Sequence, residues 1–598
     1  MSAGGADRAW LAADRHQRSI PHQDRKLRGA WFTPPELASP TAARTLAPLD
    51  DGRPLRVCDP AVGGGGFLLA ARAALSRSPA ELVGVDVDPG AVQIARDALP
   101  DADLRVGDGL TELEEESFDA VLTNPPWETL QHGPDAKARV AALRPRFRHQ
   151  GAGKLFTYRL FLERALQLLR PGGRLGVVVP AGLWFDRDAA PLRQVLLDEC
   201  EWEWLFGFEN RARVFDIDSR YRFGVVIATK GGLTRAVKTA FGHTALSSWQ
   251  QDSPPHTRYE RDELQRLSPH AGTFVEVESR RDLDVLQRMR EGGRPLLDVM
   301  EWRQGDFNMT ADRGRFELRE HAEAHGYRPR PDGVWRAAQR PELIALRQGA
   351  MVYDLDGNAG AHDRGVGHKT RWRRPARPDE LRPLYLVDAA AWRDVADDRG
   401  PARIALRALS NATNERTTIA CLLPDVPCGN SLGVLRPRAP SERPVRELAA
   451  TAAVLGSLAF DWSLRLRLGG TNLNRFVLAD CTLPPLDDDA ADELAQLALR
   501  LCATAPWCAP LWDHAEREGW CCSQTPETEP ARRRALHTRI DELVGDAYGL
   551  GPDDVLWVTR GQPFAKGFWR VERALPEPER RPARWRDAVS QRRPGDQR

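Results

Sequence analysis

Between residues 55 and 230, short runs of apolar and β-branched residues alternate with stretches whose apolar positions recur at helical spacing. That alternation predicts an α/β fold, a parallel sheet covered by helices. The expected strands are 55–59, 82–86, 104–106, 118–122, 174–179 and 222–230. A helix is expected over 155–169, stopped by Pro171-Gly172-Gly173. Beyond about residue 235 the alternation is lost and proline, arginine and tryptophan become frequent, which marks a boundary. Residues 300–440 read as irregular and β-containing, 446–468 and 531–550 as helical, and 576–598 as a polar tail. No internal repeat is evident.

Composition changes this picture little. The 598 residues exceed what one core supports, so two or three domains are expected. With 85 Lys and Arg against 84 Asp and Glu, net charge argues neither for nor against a polyanionic partner. The nine cysteines show no CxxC spacing, and the first residues lack a basic segment followed by an apolar one. A reduced, cytoplasmic protein without a membrane span is the expectation. Cys508, His514, Cys521 and Cys522 cluster in sequence, but their gaps match zinc sites poorly, so no metal is expected.

Chemistry enters at the ends of the expected strands. The first runs into "CDPAVGGGGFLLAA" (58–71), where Gly63 and Gly65 let the backbone approach a ligand at a helix N-terminus. Such turns serve dinucleotides, phosphates and adenosyl cofactors alike, and some only pack helix on strand. Asp86 closes the second strand, where a carboxylate can accept both hydroxyls of a ribose. Asp108 closes the third, where it can take the amino hydrogens of an adenine, although a strand-end Asp can also simply cap a helix.

The fourth strand ends in "TNPPW" (123–127). Each proline fixes φ, removes a donor and biases its predecessor toward extended backbone, so Asn124-Pro125-Pro126 leaves the sheet as a stiff rod. The Asn124 side-chain oxygen and the Pro125 carbonyl become preset acceptors beside the flat face of Trp127. Acceptors for an NH2 group next to a stacking surface suit an amino-bearing planar base. The alternative is a structural turn with an aromatic plug.

"DPAVGGGGFL", "GVDVDP", "VGDGL" and "TNPPW" resemble the cofactor and catalytic motifs of N6-adenine DNA methyltransferases. "GAWFTPPELA" (29–38) resembles the segment that closes over the methionine end of the cofactor, a plain helix start at Thr33 being the other reading. The motif order resembles the gamma arrangement. Looser likenesses at 305–316, 411–424, 538–550 and "KGFWRV" (566–571) are to the large methyltransferases of Type IIG-like restriction and BREX or DISARM phage-defence systems.

The resemblance implies a Rossmann-like S-adenosylmethionine-dependent methyltransferase domain at 28–235, after an N-terminal extension at 1–27. A connector (236–300), a mixed α+β target-recognition region (301–440), a helical region (441–575) and the tail would follow. It implies cofactor contacts from Thr33, Pro34, Asp59, Pro60, Ala61, Gly63, Gly65, Asp86, Asp108 and Asn124, and catalysis by Asn124, Pro125, Pro126 and Trp127. Phe215 or Phe223 would form a second wall for the target base, unless they are core residues. The implied partner is double-stranded DNA, with other defence-system subunits a further option. Basic "HKTRWRRPARPDELR" (368–382) offers Arg371, Arg373, Arg374 and Arg377 for phosphates or a guanine edge, against the alternative of a solvated loop. Acidic-x-Lys pairs at Asp24–Lys26 and Asp135–Lys137 have no room for a nuclease core, so methylation without cutting is expected. Methylation of RNA guanine amines or protein glutamine, or a non-catalytic DNA-binding role, are the alternatives.

Overall fold

The computed structural model of the protein describes residues 3–20, 31–130, 136–396, 400–412, 414, 416–521, 524–560 and 575–591. Gly29 and Ala30 of the methionine-end motif, the Asp24–Lys26 pair, Asp135, Cys522 and "KGFWRV" lie outside the described residues. The chain divides into two compact units, Met1–Leu283 and Asp284–Arg598.

Among the described residues of the first unit, nine strands make one sheet in the order β3-β2-β1-β4-β5-β7-β6-β8-β9. They are β1 (Leu55–Asp59), β2 (Ala80–Asp86), β3 (Asp103–Val106), β4 (Phe118–Thr123), β5 (Leu169–Pro180), β6 (Cys200–Glu209), β7 (Arg222–Lys230), β8 (Ala236–His243) and β9 (Thr257–Glu260). Strands β1 to β5 pair in parallel, and β7 runs antiparallel between β5 and β6. Every residue of β4 is buried, as expected of a strand covered on both faces. Strand β1 has β2 on one side and β4 on the other, so connections leave in opposite directions there. The crevice beyond the carboxyl ends of β1 and β4 is the switch point at which open α/β sheets bind ligands.

Three features differ from the sequence expectation. The helix after β4 spans Thr157–Leu168, and Pro171-Gly172-Gly173 lies within β5. The pairing register shifts there, between Phe118 and Ala120 of β4, which accommodates the glycines at the start of the strand. Strand β6, "CEWEWLFGFE", was not anticipated because its acidic residues mask an aromatic strand. The sheet also continues past residue 235, since β8 pairs with β6 and β9 with β8 inside the expected connector.

The second unit is antiparallel where it is β. Met300–Arg303, Ala402–Arg407, Ala420–Pro424 and Leu432–Pro437 form one sheet, and five short strands between Phe316 and Asp388 form another. The expected helix at 446–468 is two, Pro444–Leu455 and Leu458–Arg465, with Ser457 capping the second by accepting from Phe460 N. Pro530–Ala547 is helical. The stretch expected to be a polar tail contains the helix Arg581–Ser590. Its Trp585 is fully buried against Gly545, and its Arg581 forms ion pairs with Asp541 and Asp354. A composition rich in Arg, Glu and Pro concealed one aromatic anchor and one buried cation. No helix among the described residues is long and apolar enough to cross a membrane.

Candidate functional site

The turn after β1 builds the floor of the crevice. Gly63 has φ +49° and Gly65 φ +86°, left-handed values that favour glycine. Their tasks differ. A Cβ on Gly63 would lie 2.8 Å from the Phe32 ring, whereas one on Gly65 would press on Ala95 at 3.2 Å, in the helix Pro89–Ala98. Gly63 therefore faces the cleft and Gly65 lets helices pack. Pro60, Ala61, Gly63, Asp86 and Asn124 line one cleft with Trp31 and Phe32, and Asp59 and Thr33 line its continuation. The helix Pro35–Leu46 is capped by the Pro34 backbone with no side-chain bond, so Thr33 is not its cap.

Asp86 is held in place by two backbone donors, Gly63 N and Asp88 N, each at 2.9 Å. Burial raises its pKa. Asp59 accepts from Ala61 N at 3.0 Å. Burial pushes its carboxyl up to about 7, against the opposing pull of Thr123 and Ala61. Asp108 sits differently. Gly107 and Gly109 line the cleft, while its carboxylate takes Leu110 N at 3.1 Å and Arg139 Nη2 at 3.0 Å. A Cβ on Gly109 would strike the Pro60 carbonyl at 1.9 Å, so this glycine lets the segment after β3 approach the turn after β1.

Beyond β4, Asn124 Nδ2 donates to the Trp31 carbonyl at 3.2 Å, and its Oδ1 is buried with no hydrogen-bond partner among the described residues. Thr157 pins the proline rod, its hydroxyl donating to the Pro126 carbonyl at 2.6 Å and its amide to the Glu128 carbonyl at 2.9 Å. Trp127 packs edge-on to Phe215 at 5.1 Å and stacked on Phe223 at 6.0 Å between centroids. Both phenylalanines are buried in the core, and a planar ring between Trp127 and Phe223 needs a separation of roughly 7 Å. Neither faces Trp127 across a base-sized gap. Both pack in the core against Trp127, as the core-packing alternative has it.

Sequence reasoning missed several lining residues. The helix Ala3–Ser19, expected only as an extension, covers the glycine turn. Its Trp10 ring lies 2.6 Å from the Cβ position of Gly66, and Gln17 Oε1 accepts from Phe32 N at 2.8 Å. His16 Nε2 lies 3.2 Å from Asp88 Oδ2. The available signal was an isolated Trp in a polar segment.

In the second unit, Arg371–Arg373 is a strand paired with Ala361–Arg364. Arg373 is bound by Glu380, and Arg377 meets Asp379 at 3.2 Å. Arg371 and Arg374 are exposed, and Arg374 stands at the edge of a cavity that it helps to line. No cluster of metal-ligating side chains occurs among the described residues.

Residues 18–209 match the family model described as N-6 DNA Methylase. Over 148 residues the chain is 35% identical to the Type II methyltransferase M.TthHB8I of Thermus thermophilus, an alignment covering 24% of this chain and 33% of that relative. Over 128 residues it is 32% identical to the release factor glutamine methyltransferase of Caulobacter vibrioides, covering 20% and 44%. The chain thus spans less than half the length of either relative. A solved structure of the Type IIL restriction-modification enzyme MmeI in complex with DNA aligns at 13% identity and a TM-score of 0.48, over 91% of this chain and 74% of that one.

Proposed function

We propose that this chain, with an N-6 DNA methylase segment at residues 18–209, transfers a methyl group from S-adenosylmethionine to the N6 amine of adenine in double-stranded DNA. The observation that carries this reading is the buried Oδ1 of Asn124, without a hydrogen-bond partner among the described residues and held in a cleft that Asp86 and Gly63 also line. A buried acceptor without a donor is costly, and an amine N–H would satisfy it.

The donor set suits the cofactor. Asp86 keeps lone pairs for ribose hydroxyls after accepting its two backbone amides, Gly63 offers a floor without a side chain, and Thr33 and Asp59 line the methionine end. Asp108 is the candidate partner for the cofactor's adenine, next to Gly107 and Gly109. Bound S-adenosylmethionine would supply an electrophilic methyl group. The exocyclic amine of adenine is a weak nucleophile because its lone pair is delocalised into the ring. Asn124 Oδ1, with the Pro125 carbonyl, would accept its two N–H bonds and draw the nitrogen toward tetrahedral geometry, so that positioning and electrostatics supply the acceleration. The base must leave the duplex to reach this cleft, and Trp127 would stack on it.

Residues 301–440 would read the DNA sequence, and the biological setting would be cytoplasmic restriction-modification or antiviral defence, with other subunits as further partners. Similarity to the release factor enzyme favours a second reading, methylation of a glutamine amide by the same planar-nitrogen chemistry. The full chain should be incubated with labelled S-adenosylmethionine and either duplex DNA, RNA or protein acceptors. Mass spectrometry detecting N6-methyladenine supports the proposal. Methylated guanine or glutamine without it overturns the proposal.

A further inference from the structure

The second unit holds a cavity of about 350 Å³ that the proposed methylation does not use. That volume lies in the range of small-molecule sites. Five guanidinium groups line it, those of Arg374, Arg416, Arg533, Arg534 and Arg581, against two carboxylates, Asp354 and Asp356.

The charges do not cancel locally. Asp354 is shared, with Oδ2 at 3.3 Å from Arg416 Nε and 2.9 Å from Arg581 Nη1, and Asp461, 4.0 Å from Arg416 Nε, is itself paired with Arg465 at 2.7 Å. Arg581 is further matched by the fully buried Asp541, which does not line the cavity. Arg533 donates to three backbone carbonyls, of Leu501, Glu527 and Leu355, which hold its geometry without neutralising it. Arg534 reaches Glu579 only at 3.6 Å, and Arg374 has no ion pair among the described residues.

Unpartnered buried donors sharpen the point. The Arg416 side chain is 2% exposed, yet its Nη1 has no hydrogen-bond partner among the described residues. Arg534 Nε and His537 Nδ1 are in the same condition. Burial and the guanidiniums of Arg581, Arg533 and Arg416 push the His537 pKa well below its ordinary value, so this imidazole adds no charge at neutral pH. Buried charges and donors left in this state are costly unless something satisfies them. Guanidinium forks are matched best by carboxylate or phosphate oxygens, and with several converging forks the denser charge of phosphate is favoured. Tyr353, Pro530 and Pro582 add flat apolar surfaces to the same cavity, which suit a ring attached to the anion.

We propose that this cavity binds a phosphate group carried by a nucleotide, through Arg374, Arg416, Arg533 and Arg534, with the attached ring against Tyr353 and the two prolines. The phosphate could belong to a free nucleotide or to a DNA strand, and the two sources separate experimentally. Calorimetry on the full chain, with saturating S-adenosylhomocysteine to occupy the cofactor cleft, should compare inorganic phosphate, cytidine monophosphate and a short DNA duplex. Wild type should bind the nucleotide more tightly than inorganic phosphate. Arg374→Ala and Arg534→Ala should each weaken it at least tenfold, and Arg534→Lys by less. Loss of nucleotide binding with duplex affinity unchanged assigns the site to a free ligand. Loss of duplex affinity alone, with a shallower salt dependence, assigns it to a strand phosphate. If wild type binds neither phosphate nor nucleotide and both alanine variants, folded by their melting curves, bind duplex as wild type does, the proposal is overturned. Should Arg534→Ala fail to fold, Arg374→Ala and the nucleotide-dependent rise in wild-type melting temperature decide the question.

Discussion

Asn124 is fixed by Trp31: its Nδ2 donates to the Trp31 carbonyl at 3.2 Å, which orients the amide and leaves Oδ1 as the buried acceptor in the cleft. One hydrogen bond therefore sets which end of the amide would meet a substrate in the proposed reaction. Trp31 and its neighbour Phe32 also line the cleft proposed for the cofactor, so a single short segment shapes both halves of the candidate site.

Asn124→Ala should reduce methyl transfer by about a hundredfold or more while leaving cofactor affinity within a few-fold, because the acceptor it removes serves the target amine. Single-turnover transfer with labelled cofactor and calorimetry with S-adenosylhomocysteine measure the two effects separately. Asp86→Ala should act in the opposite order and weaken cofactor binding first. A folded Asn124→Ala that no longer binds S-adenosylhomocysteine would contradict this division of roles.

The grouping of Gly63, Asp86 and Asn124 around one cleft was legible because these residues stand at strand ends, where the pattern of apolar runs marks them. The runs 55–59 and 222–230 coincide with β1 and β7, and Gly63, Asp86 and Asn124 follow from such positions. What surrounds them was not legible. Trp10 and Thr157 reach the site by tertiary packing across long sequence separations, and only the isolated Trp in its polar segment hints at the first. Arg581 was hidden differently. Its local composition is that of a solvated tail, and only the carboxylates of Asp354 and Asp541, distant in sequence, make burial tolerable.

Trp127→Ala should weaken capture of an extruded base by about 1–3 kcal/mol, and Trp127→Phe should keep much of the binding because any aromatic face can stack. A duplex with 2-aminopurine at the target reports extrusion by fluorescence. Since Trp127 rests on Phe215 and Phe223, the alanine variant should also melt lower, and Phe215→Ala should lower both signals by loosening the support. Equal fluorescence from wild type and Trp127→Ala would leave Trp127 as a structural plug.

Asp59 makes stability depend on pH. Its carboxyl is raised from 3.8 to about 7 by burial, so the folded state holds a proton that the unfolded chain releases in this interval. The contribution is fully present below about pH 4 and is lost as pH rises through 7. Denaturant midpoints measured from pH 4 to pH 8 should therefore fall across the window for wild type, and Asp59→Asn should flatten that fall. Identical slopes in the two proteins would mean that Asp59 is ionised throughout.

Arg371 and Arg373 are neighbours but one in strand order, and their surroundings separate their expected effects on DNA. Arg373 is engaged by Glu380, which also accepts Ala376 N and whose carboxyl the guanidinium pulls down to about 2. That pairing closes the loop after the strand, and a guanidinium already matched by a carboxylate releases few counterions on meeting a phosphate. Arg371 is exposed and has no ion pair among the described residues. If this hairpin contacts the DNA backbone, Arg371→Ala should flatten the plot of log affinity against log salt by about 0.9. Arg373→Ala should leave the slope nearly unchanged and instead lower the melting temperature, and Glu380→Ala should steepen the slope by freeing Arg373. Filter binding over a range of salt, paired with melting curves, measures both quantities. If Arg373→Ala flattens the slope as much as Arg371→Ala does, the Glu380 pairing yields on binding and Arg373 is a phosphate contact after all. If neither variant moves the slope, the hairpin is a solvated loop and the DNA backbone is held elsewhere in the chain.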